Sequence, residues 1–154
     1  MKLSEVIIER LAFGGSGVGR IDGKVCFVPF SAPGDHLKVR VVKEHRSWVE
    51  AELEDISEAS PLRVQPVCPV FGQCGGCDWQ HLAYPAQVKA KGDILLETLQ
   101  RVGKLVDPPV GQTVAAPSPN GYRARAQFKL HRSTDGQKAG FYRRGSHSVI
   151  DLAE

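Results

Sequence analysis

The chain has 154 residues, of which 42% are hydrophobic and 24% are charged, and its formal net charge is +3. This size and composition predict one or two small folded domains and exclude a disordered chain. No apolar run approaches the roughly 20 residues that a membrane-spanning helix needs, and the N-terminus lacks the apolar core of a signal peptide. We therefore expect a cytoplasmic protein whose cysteines are kept reduced.

Positive charge is concentrated in the last third of the sequence. Residues 108–154 hold seven Lys and Arg against three Asp and Glu, whereas residues 1–58 hold eight against ten. A basic surplus of this kind is the electrostatic pattern that a nucleic-acid partner requires.

Residues 1–58 have the pattern of a small all-β domain. Short apolar runs cover residues 6–8, 24–28 and 37–42, and residues 48–56 alternate between apolar and polar side chains. Turn-forming sequences separate these runs. Four or five short strands in so few residues predict a small barrel of the OB type.

The glycine-rich run at residues 14–19 raises the question of a dinucleotide-binding loop. Its glycines do not have the G-x-G-x-x-G spacing, and no βαβ pattern follows them. We therefore expect a flexible bend between two strands of the barrel.

Residues 59–106 are predicted to form a cysteine-containing loop and then a helix from about Tyr84 to Val102. Pro85 suits the first turn of this helix, and Gly103 suits its C-terminal cap. A set of side chains recurs at helical spacing, so we expect it to form the buried face. This set consists of Tyr84, Val88, the stem of Lys91, Leu95, Leu99 and Val102.

Residues 107–154 are predicted to begin as a proline-rich linker, up to residue 120, and then to return to β structure. We expect a strand at residues 122–130, a polar turn at residues 133–136, and two further short strands. The predicted fold class is therefore mainly β with one helix.

Three cysteines, Cys68, Cys74 and Cys77, lie within ten residues in a C-x5-C-x2-C pattern that contains three glycines. Converging thiolates bind iron–sulfur clusters or zinc, and glycines let a loop wrap closely around such a group. The spacing leaves three possibilities open: a [4Fe–4S] cluster with a fourth thiolate, a Cys3His zinc site that uses His81, or no metal. Cys26 could supply a thiol, but its apolar neighbours place it in the barrel core.

A group of basic and polar side chains in the last third of the chain is a candidate RNA-binding surface. Guanidinium groups bind phosphate, and aromatic rings close to them can stack on unpaired bases. Four of the residues alternate, so we expect them on one face of one strand, and two more follow an aromatic pair on the next strand. They are Arg123, Arg125, Gln127 and Lys129, followed by Arg143 and Arg144. Charge alone does not exclude an ordinary solvated strand face.

Together these residues resemble the RNA uracil-C5 methyltransferases that carry an iron–sulfur cluster, with the bacterial 23S rRNA enzyme as prototype. Residues 13–20 and 28–35 resemble the N-terminal TRAM domain of that family, an RNA-binding OB-like barrel. Residues 74–82 resemble its cluster-binding signature. Residues 122–128 and 140–147 resemble the central domain that follows.

The resemblance implies three parts: a TRAM barrel at 1–58, an iron–sulfur loop with a helix at 59–106, and the start of a β-rich central domain at 107–154. It also implies that the chain is an N-terminal fragment. The fourth cluster cysteine would follow a segment similar to residues 148–154. The Rossmann-like domain, which holds S-adenosylmethionine and the catalytic residues, would be absent.

The function that the resemblance implies is recognition of RNA for methylation at C5 of a uridine, in rRNA or, as a second possibility, tRNA. Cys68, Cys74 and Cys77 would hold the [4Fe–4S] cluster, and Arg20 and Lys24 of the barrel would join the RNA-contacting residues. We expect a monomer with no membrane partner. The alternative is a stand-alone RNA-binding module with a structural Cys3His zinc site.

Overall fold

The computed structural model describes residues 3–133 and 136–152, which form two β-sheets and one long helix. The strands of the first sheet are β1 Leu3–Ile7, β2 Arg10–Leu11, β3 Gly17–Ile21, β4 Lys24–Val28, β5 His36–Glu44 and β6 Trp48–Glu58. The remaining elements are α1 Tyr84–Arg101, β7 Lys129–Ser133, β8 Gly136–Tyr142 and β9 Val149–Asp151. This architecture confirms the predicted fold class.

The first sheet has the order β1-β5-β6-β4-β3-β2 and curls so that β3, near one end, comes close to β1 at the other. All neighbouring strands are antiparallel except β4 and β6. The amide of Glu9, just after β1, donates to the carbonyl of Val18 on β3 over 2.8 Å. A Cβ atom at Gly19 would overlap the carbonyl oxygen of Ile7, so glycine is needed where β3 crosses β1. The predicted OB-like barrel is therefore present as a strongly curled six-stranded sheet.

The core of this barrel is built from the inward-facing residues of five strands. The largest fully buried side chains among them are Leu37, Val28, Val39 and Cys26. On β6 the predicted alternation holds at Val49 and Ala51, which both point into the core, as expected for a sheet with one buried face.

The expectation of a flexible bend at residues 14–19 is wrong for its second half. Gly14 and Gly15 form a turn with positive φ, but Gly17–Ile21 form strand β3. Gly17 lies where a Cβ atom would overlap the hydroxyl of Ser31, so this glycine serves close packing inside the barrel.

Asp35 is fully buried where the loop between β4 and β5 meets the chain that follows β6. Its carboxylate accepts two hydrogen bonds of 2.8 Å from the guanidinium of Arg63 and one of 2.9 Å from the amide of Ser60. The amide of Ala32 donates a further one. Burial opposes ionisation of this carboxyl, but Arg63 and the two amides together hold the pKa of Asp35 below its ordinary value.

Helix α1 has the predicted bounds, but it packs on the barrel with a different face from the one predicted. Ala90 and Ile94 belong to a small core with Leu11, Ala32 and Leu82. In contrast, Leu95 is 49% exposed and Val102 is 67% exposed. Within the described chain, no helix is long and apolar enough to cross a membrane.

Polar contacts explain why the hydrophobic pattern indicated the wrong face. The side-chain amide of Gln87 donates to the carbonyls of Trp79 and Leu82, and Glu97 forms an ion pair of 2.8 Å with Arg10 on β2. The helix is thus joined to the barrel partly by polar residues. Leu95, from the predicted face, instead lines a groove of about 450 Å³ between α1 and residues 109–113.

The cap of α1 also differs from the prediction. Lys104, not Gly103, has the positive φ, of 56°, and the amide of Leu105 bonds to the carbonyl of Leu99. Gly103 is required for another reason, because a Cβ atom there would lie 2.6 Å from the carbonyl oxygen of Leu99.

The second sheet has the order β7-β8-β9 and is antiparallel throughout. The expectation that Arg123, Arg125 and Gln127 lie on a strand is wrong, because residues 122–128 form no strand and the chain bends at residue 124. The register places Lys129 opposite Gly140, and β8 ends two residues later. This register puts residue 127 opposite Tyr142, the last residue of β8. Residues before 127 therefore have no part of β8 opposite them with which to pair. The middle of the predicted turn, residues 134–135, lies outside the described residues.

We predict that Asp35→Asn lowers the free energy of unfolding by about 3 kcal/mol, because it leaves the guanidinium of Arg63 without its charged partner in a site that is mostly buried. Urea unfolding measures the change. The control is Arg40→Gln, which breaks ion pairs with Glu52 and Glu54 on the outer face of the barrel and should cost less than about 1 kcal/mol. Equal losses in the two variants would contradict the central role of Asp35.

Candidate nucleic-acid interface and cysteine loop

The cysteine loop comprises residues 64–82 and is fixed to the barrel at both ends. The amide of Val64 donates to the carbonyl of His81 over 2.9 Å, which closes the loop. The indole N–H of Trp79 donates to the carbonyl of Gly15 at the β2–β3 turn over 2.9 Å. Because the loop contacts the barrel in this way, its position follows from the fold of the first sheet.

The three cysteines of the predicted metal site lie in this loop with different exposure. Cys74 is buried, Cys68 is half-buried and Cys77 is exposed. Cys74 Sγ accepts a hydrogen bond of 3.3 Å from the amide of Gly76. In residues 3–133 and 136–152, no group of three or more His, Cys, Asp or Glu side chains is arranged to hold a metal ion. The thiols have suitable chemistry for an iron–sulfur cluster, but as placed they do not converge.

Cys26 does not belong to this group. It is fully buried in the barrel core, and burial raises the pKa of its thiol to about 11. Because its side chain packs inside the barrel core and not in the cysteine loop, Cys26 is unsuited to join the other three cysteines as a ligand.

His81, the fourth ligand of the alternative zinc site, is buried and directed towards the barrel. Its Nε2 lies 3.1 Å from the carbonyl of Ser31 and therefore donates to it. Its ring packs against Phe30 and Phe71. Burial lowers the pKa of His81, so the ring is neutral, and its buried Nδ1 has no partner among the described residues.

The cysteine loop is also joined to the second sheet. The amide of Gly75 donates to the carbonyl of Tyr142 over 2.9 Å, and the amide of Arg144 donates to the carbonyl of Gln73 over 3.2 Å. Cys74 and Arg143 form an isolated β-bridge. A Cβ atom at Gly75 would lie 2.9 Å from the carbonyl oxygen of Tyr142, so the close approach requires glycine.

Arg144 connects the barrel, the cysteine loop and the second sheet. Its guanidinium forms an ion pair with Asp78 of the loop and lies 5.1 Å from the ring centre of Phe30 in the barrel. Phe30 has a positive φ of 59°, an unfavourable conformation for a bulky residue that the surrounding contacts must hold. Arg144 is therefore engaged within the protein, although it was expected to contact RNA.

The other predicted RNA-contacting residues fall into two groups. Lys24 is paired with Glu44 over 2.6 Å, and Arg20 on β3 lies 4.0 Å from Glu9. The members of the second group are exposed, in the irregular segment before β7, on β7 and directly after β8. They are Arg123, Arg125, Gln127, Lys129 and Arg143.

Sequence reasoning missed two residues beside this second group. His131 and Lys138 are paired across β7 and β8. The signal that could have found them is the register of the hairpin that follows from the predicted turn at residues 133–136. His147, which the sequence placed near the basic group, contacts the ring of Tyr142 with 5.3 Å between ring centres.

Known proteins are similar to the barrel and to nearly the whole chain. Residues 2–53 match the family model of the TRAM domain. A protein of Synechocystis sp. that is named as an uncharacterized RNA methyltransferase is 42% identical over 149 residues, which are 96% of this chain and 32% of that protein. A protein of Halalkalibacterium halodurans that is named in the same way is 41% identical over 150 residues, which are 97% of this chain and 33% of that protein. The chain thus spans about a third of the length of these relatives.

A solved structure also matches almost the whole chain. It is the tRNA (uracil-54, C5)-methyltransferase of Pyrococcus abyssi in complex with S-adenosyl-L-homocysteine. The TM-score is 0.60 with 28% sequence identity, and the match covers 97% of this chain and 31% of that one.

We predict that Asp78→Asn loosens the contact between the cysteine loop and the second sheet, because it removes the charged partner of Arg144. Hydrogen exchange at the amides of Gly75 and Arg144 should become about 2–5-fold faster, as expected for a half-exposed ion pair. The control is Asp93→Asn, which removes an exposed pair with Lys89 within α1 and should leave both amides unchanged. Unchanged exchange in the Asp78 variant would show that Arg144 does not hold the two parts together.

Proposed function

Since the chain carries a TRAM domain and is homologous over nearly its whole length to RNA methyltransferases, we propose that it is the RNA-recognition part of a methyltransferase that modifies C5 of a uridine. The observation that carries the proposal is the exposed basic group on and before the second sheet. Arg123, Arg125 and Arg143 are exposed and form no ion pair with any described residue. Their guanidinium groups are therefore free to bind phosphate.

The solved relative supports uracil C5 as the methylated position. Its name states that specificity, and its bound S-adenosyl-L-homocysteine is the product that remains after S-adenosylmethionine has given up its methyl group. S-adenosylmethionine would supply the methyl group here also, bound by a part of the relatives that this chain does not span. The residues of this chain would bind and orient the RNA, and we assign none of them a catalytic role.

The chemistry explains why RNA recognition needs a separate surface. Methylation at C5 requires a nucleophile to add to C6 of the uracil and a base to remove the C5 proton, so the target uridine must leave its stack. The flanking nucleotides then have to be held in place. The proposed parts are a TRAM barrel at 1–58, a cysteine loop with α1 at 59–106, and the start of a central domain at 107–154.

The proposed substrate is rRNA, as in the prototype of the family. The solved relative acts, by its name, on tRNA, so tRNA is the second candidate. The resemblance further suggests a cytoplasmic monomer. Binding measurements that use an rRNA stem-loop and a tRNA stem-loop in parallel would decide between the two substrates.

We further propose that Cys68, Cys74 and Cys77 supply three ligands of a [4Fe–4S] cluster. The location of the three cysteines supports a cluster, because the cysteine loop contacts both sheets. A group bound in this loop would fix the position of one sheet relative to the other. The sulfur atoms do not converge in the described arrangement, so binding would require the loop to rearrange and a fourth ligand to be added. The alternative is the Cys3His zinc site. It is supported by His81, whose buried Nδ1 has no partner among the described residues and could be the fourth ligand.

We predict that Arg123→Glu combined with Arg125→Glu weakens binding of a structured RNA loop by at least about tenfold and reduces the salt dependence of the binding constant, because phosphate contacts release counterions. Fluorescence anisotropy over a salt series measures both. A matched control is Arg101→Glu with Lys104→Glu, which changes the net charge equally at the end of α1. Equal effects in the two variants would show that only net charge matters and that the assigned surface is wrong.

We predict that the chain, prepared without oxygen and reconstituted with iron and sulfide, shows broad absorbance near ~400 nm that Cys74→Ser removes. Cys26→Ala should keep the absorbance, because Cys26 lies in the barrel core. Metal analysis separates the alternatives. One zinc without iron would favour the Cys3His site. If the chain binds neither iron nor zinc, the assigned role of the three cysteines is overturned.

A further inference from the structure

One face of the second sheet presents an aromatic ring within a group of basic side chains. The register places His131 opposite Lys138, and Lys129 opposite Gly140. Residues opposite each other, and residues two apart on a strand, share a face, so Tyr142 lies on the same face as Lys138. His147 joins it through its contact with the Tyr142 ring. We name this surface the Tyr142 face; it comprises Lys129, His131, Lys138, Tyr142 and His147.

The ring of Tyr142 is held in place and still accessible. Lys129 Nζ lies 5.8 Å from the ring centre, and the His147 ring meets it edge-on with 5.3 Å between centres. Tyr142 itself is 39% exposed. Beside it, Gly140 is buried, and a Cβ atom there would overlap the carbonyl oxygen of Ile150 on β9 and lie 3.2 Å from the side chain of Leu152. The accessible part of the face is therefore the Tyr142 ring with the exposed side chains around it.

The charge of this face is complementary to a phosphate backbone. Lys129, Lys138 and the nearby Arg143 are exposed. Within the described residues of β7, β8 and β9, Asp151 is the only acidic side chain; the register places it opposite Gly140, on this same face, and its carboxylate accepts a hydrogen bond of 3.2 Å from the amide of Ala139. A rigid ring surrounded by cations, with little opposing charge, has the composition of surfaces that bind single-stranded nucleic acid.

We propose that the Tyr142 face binds an unpaired segment of the RNA and that one base stacks on the Tyr142 ring. This inference rests on the proposed function and names the kind of RNA structure that the chain recognises. Bases in a duplex are stacked on each other and cannot reach a ring on a sheet surface, whereas bases in a loop can. Lys129 and Lys138 then bind the phosphates on either side, and Lys129 above the ring adds a cation–π contact. The face would thus select a loop over a stem.

The test uses the 154-residue chain and a fluorescein-labelled single-stranded RNA of about ten nucleotides, with a duplex of the same sequence as a second probe. Tyr142→Ala should weaken single-strand binding by about 5–100-fold while leaving the salt slope unchanged, because stacking releases no counterions. Tyr142→Phe keeps the ring and should stay within about twofold of the parent. Val106→Ala, which removes an exposed apolar side chain in the segment after α1 and outside the proposed RNA surface, should have no effect.

The outcomes separate the two proposals. If the parent chain binds neither probe, the proposed function fails and this inference fails with it. If the parent binds RNA and Tyr142→Ala binds equally well, the proposed function stands and the stacking role is overturned. Should Tyr142→Ala unfold, the ring protons of Tyr142 in the parent provide a second measurement. Their resonances should move upfield when single-stranded RNA is added, and unchanged resonances would overturn the proposal.

Discussion

The arrangement of the whole chain depends on one buried carboxylate. Asp35 lies between the barrel and the chain that leaves it, and it is satisfied there by Arg63, Ser60 and Ala32. A buried charge is tolerated only when its hydrogen bonds are complete, so these partners have little freedom to move. The carboxylate therefore fixes the direction in which the chain leaves β6 and enters the cysteine loop.

The cysteine loop in turn fixes the position of the second sheet. The cysteine loop lies against the β2–β3 turn through Trp79, and its Asp78 holds Arg144 beyond the end of β8. The backbone pairing of Gly75 with Tyr142 fixes the end of the strand that carries the Tyr142 face. The barrel thus determines where the second sheet lies. The proposed RNA surface owes its position to contacts made more than 60 residues earlier in the sequence.

The sequence predicted local structure better than it predicted packing. The bounds of α1 were correct because Pro85 and the residues after Leu99 are strong local signals. Its packing face was wrong because Gln87 and Glu97 make polar contacts with the barrel, and a hydrophobic pattern carries no information about them. The strand expected around Arg125 was wrong because pairing depends on where β8 ends, which is a property of the partner strand.

At the candidate site too, the sequence indicated local features but not the contacts between residues that are distant along the chain. The spacing of the cysteines indicated one loop correctly, and the residues of the basic surplus in the last third of the chain are mostly exposed, as a charged surface requires. The ion pair of Asp35 with Arg63 joins residues 28 positions apart, and no local pattern reveals it. The ion pair of Arg144 with Asp78, 66 positions away, was hidden for the same reason, so a side chain predicted to bind RNA also joins the cysteine loop to the second sheet.

The most direct test of this account is hydrogen–deuterium exchange of the chain with and without an RNA stem-loop that contains an unpaired uridine. We expect RNA to slow exchange in residues 122–133 and 136–147, where the exposed basic side chains and Tyr142 lie, with smaller changes in the cysteine loop that supports them. Slower exchange confined to the barrel, or no change at any RNA concentration that the experiment can reach, would contradict the claim that the second sheet recognises RNA.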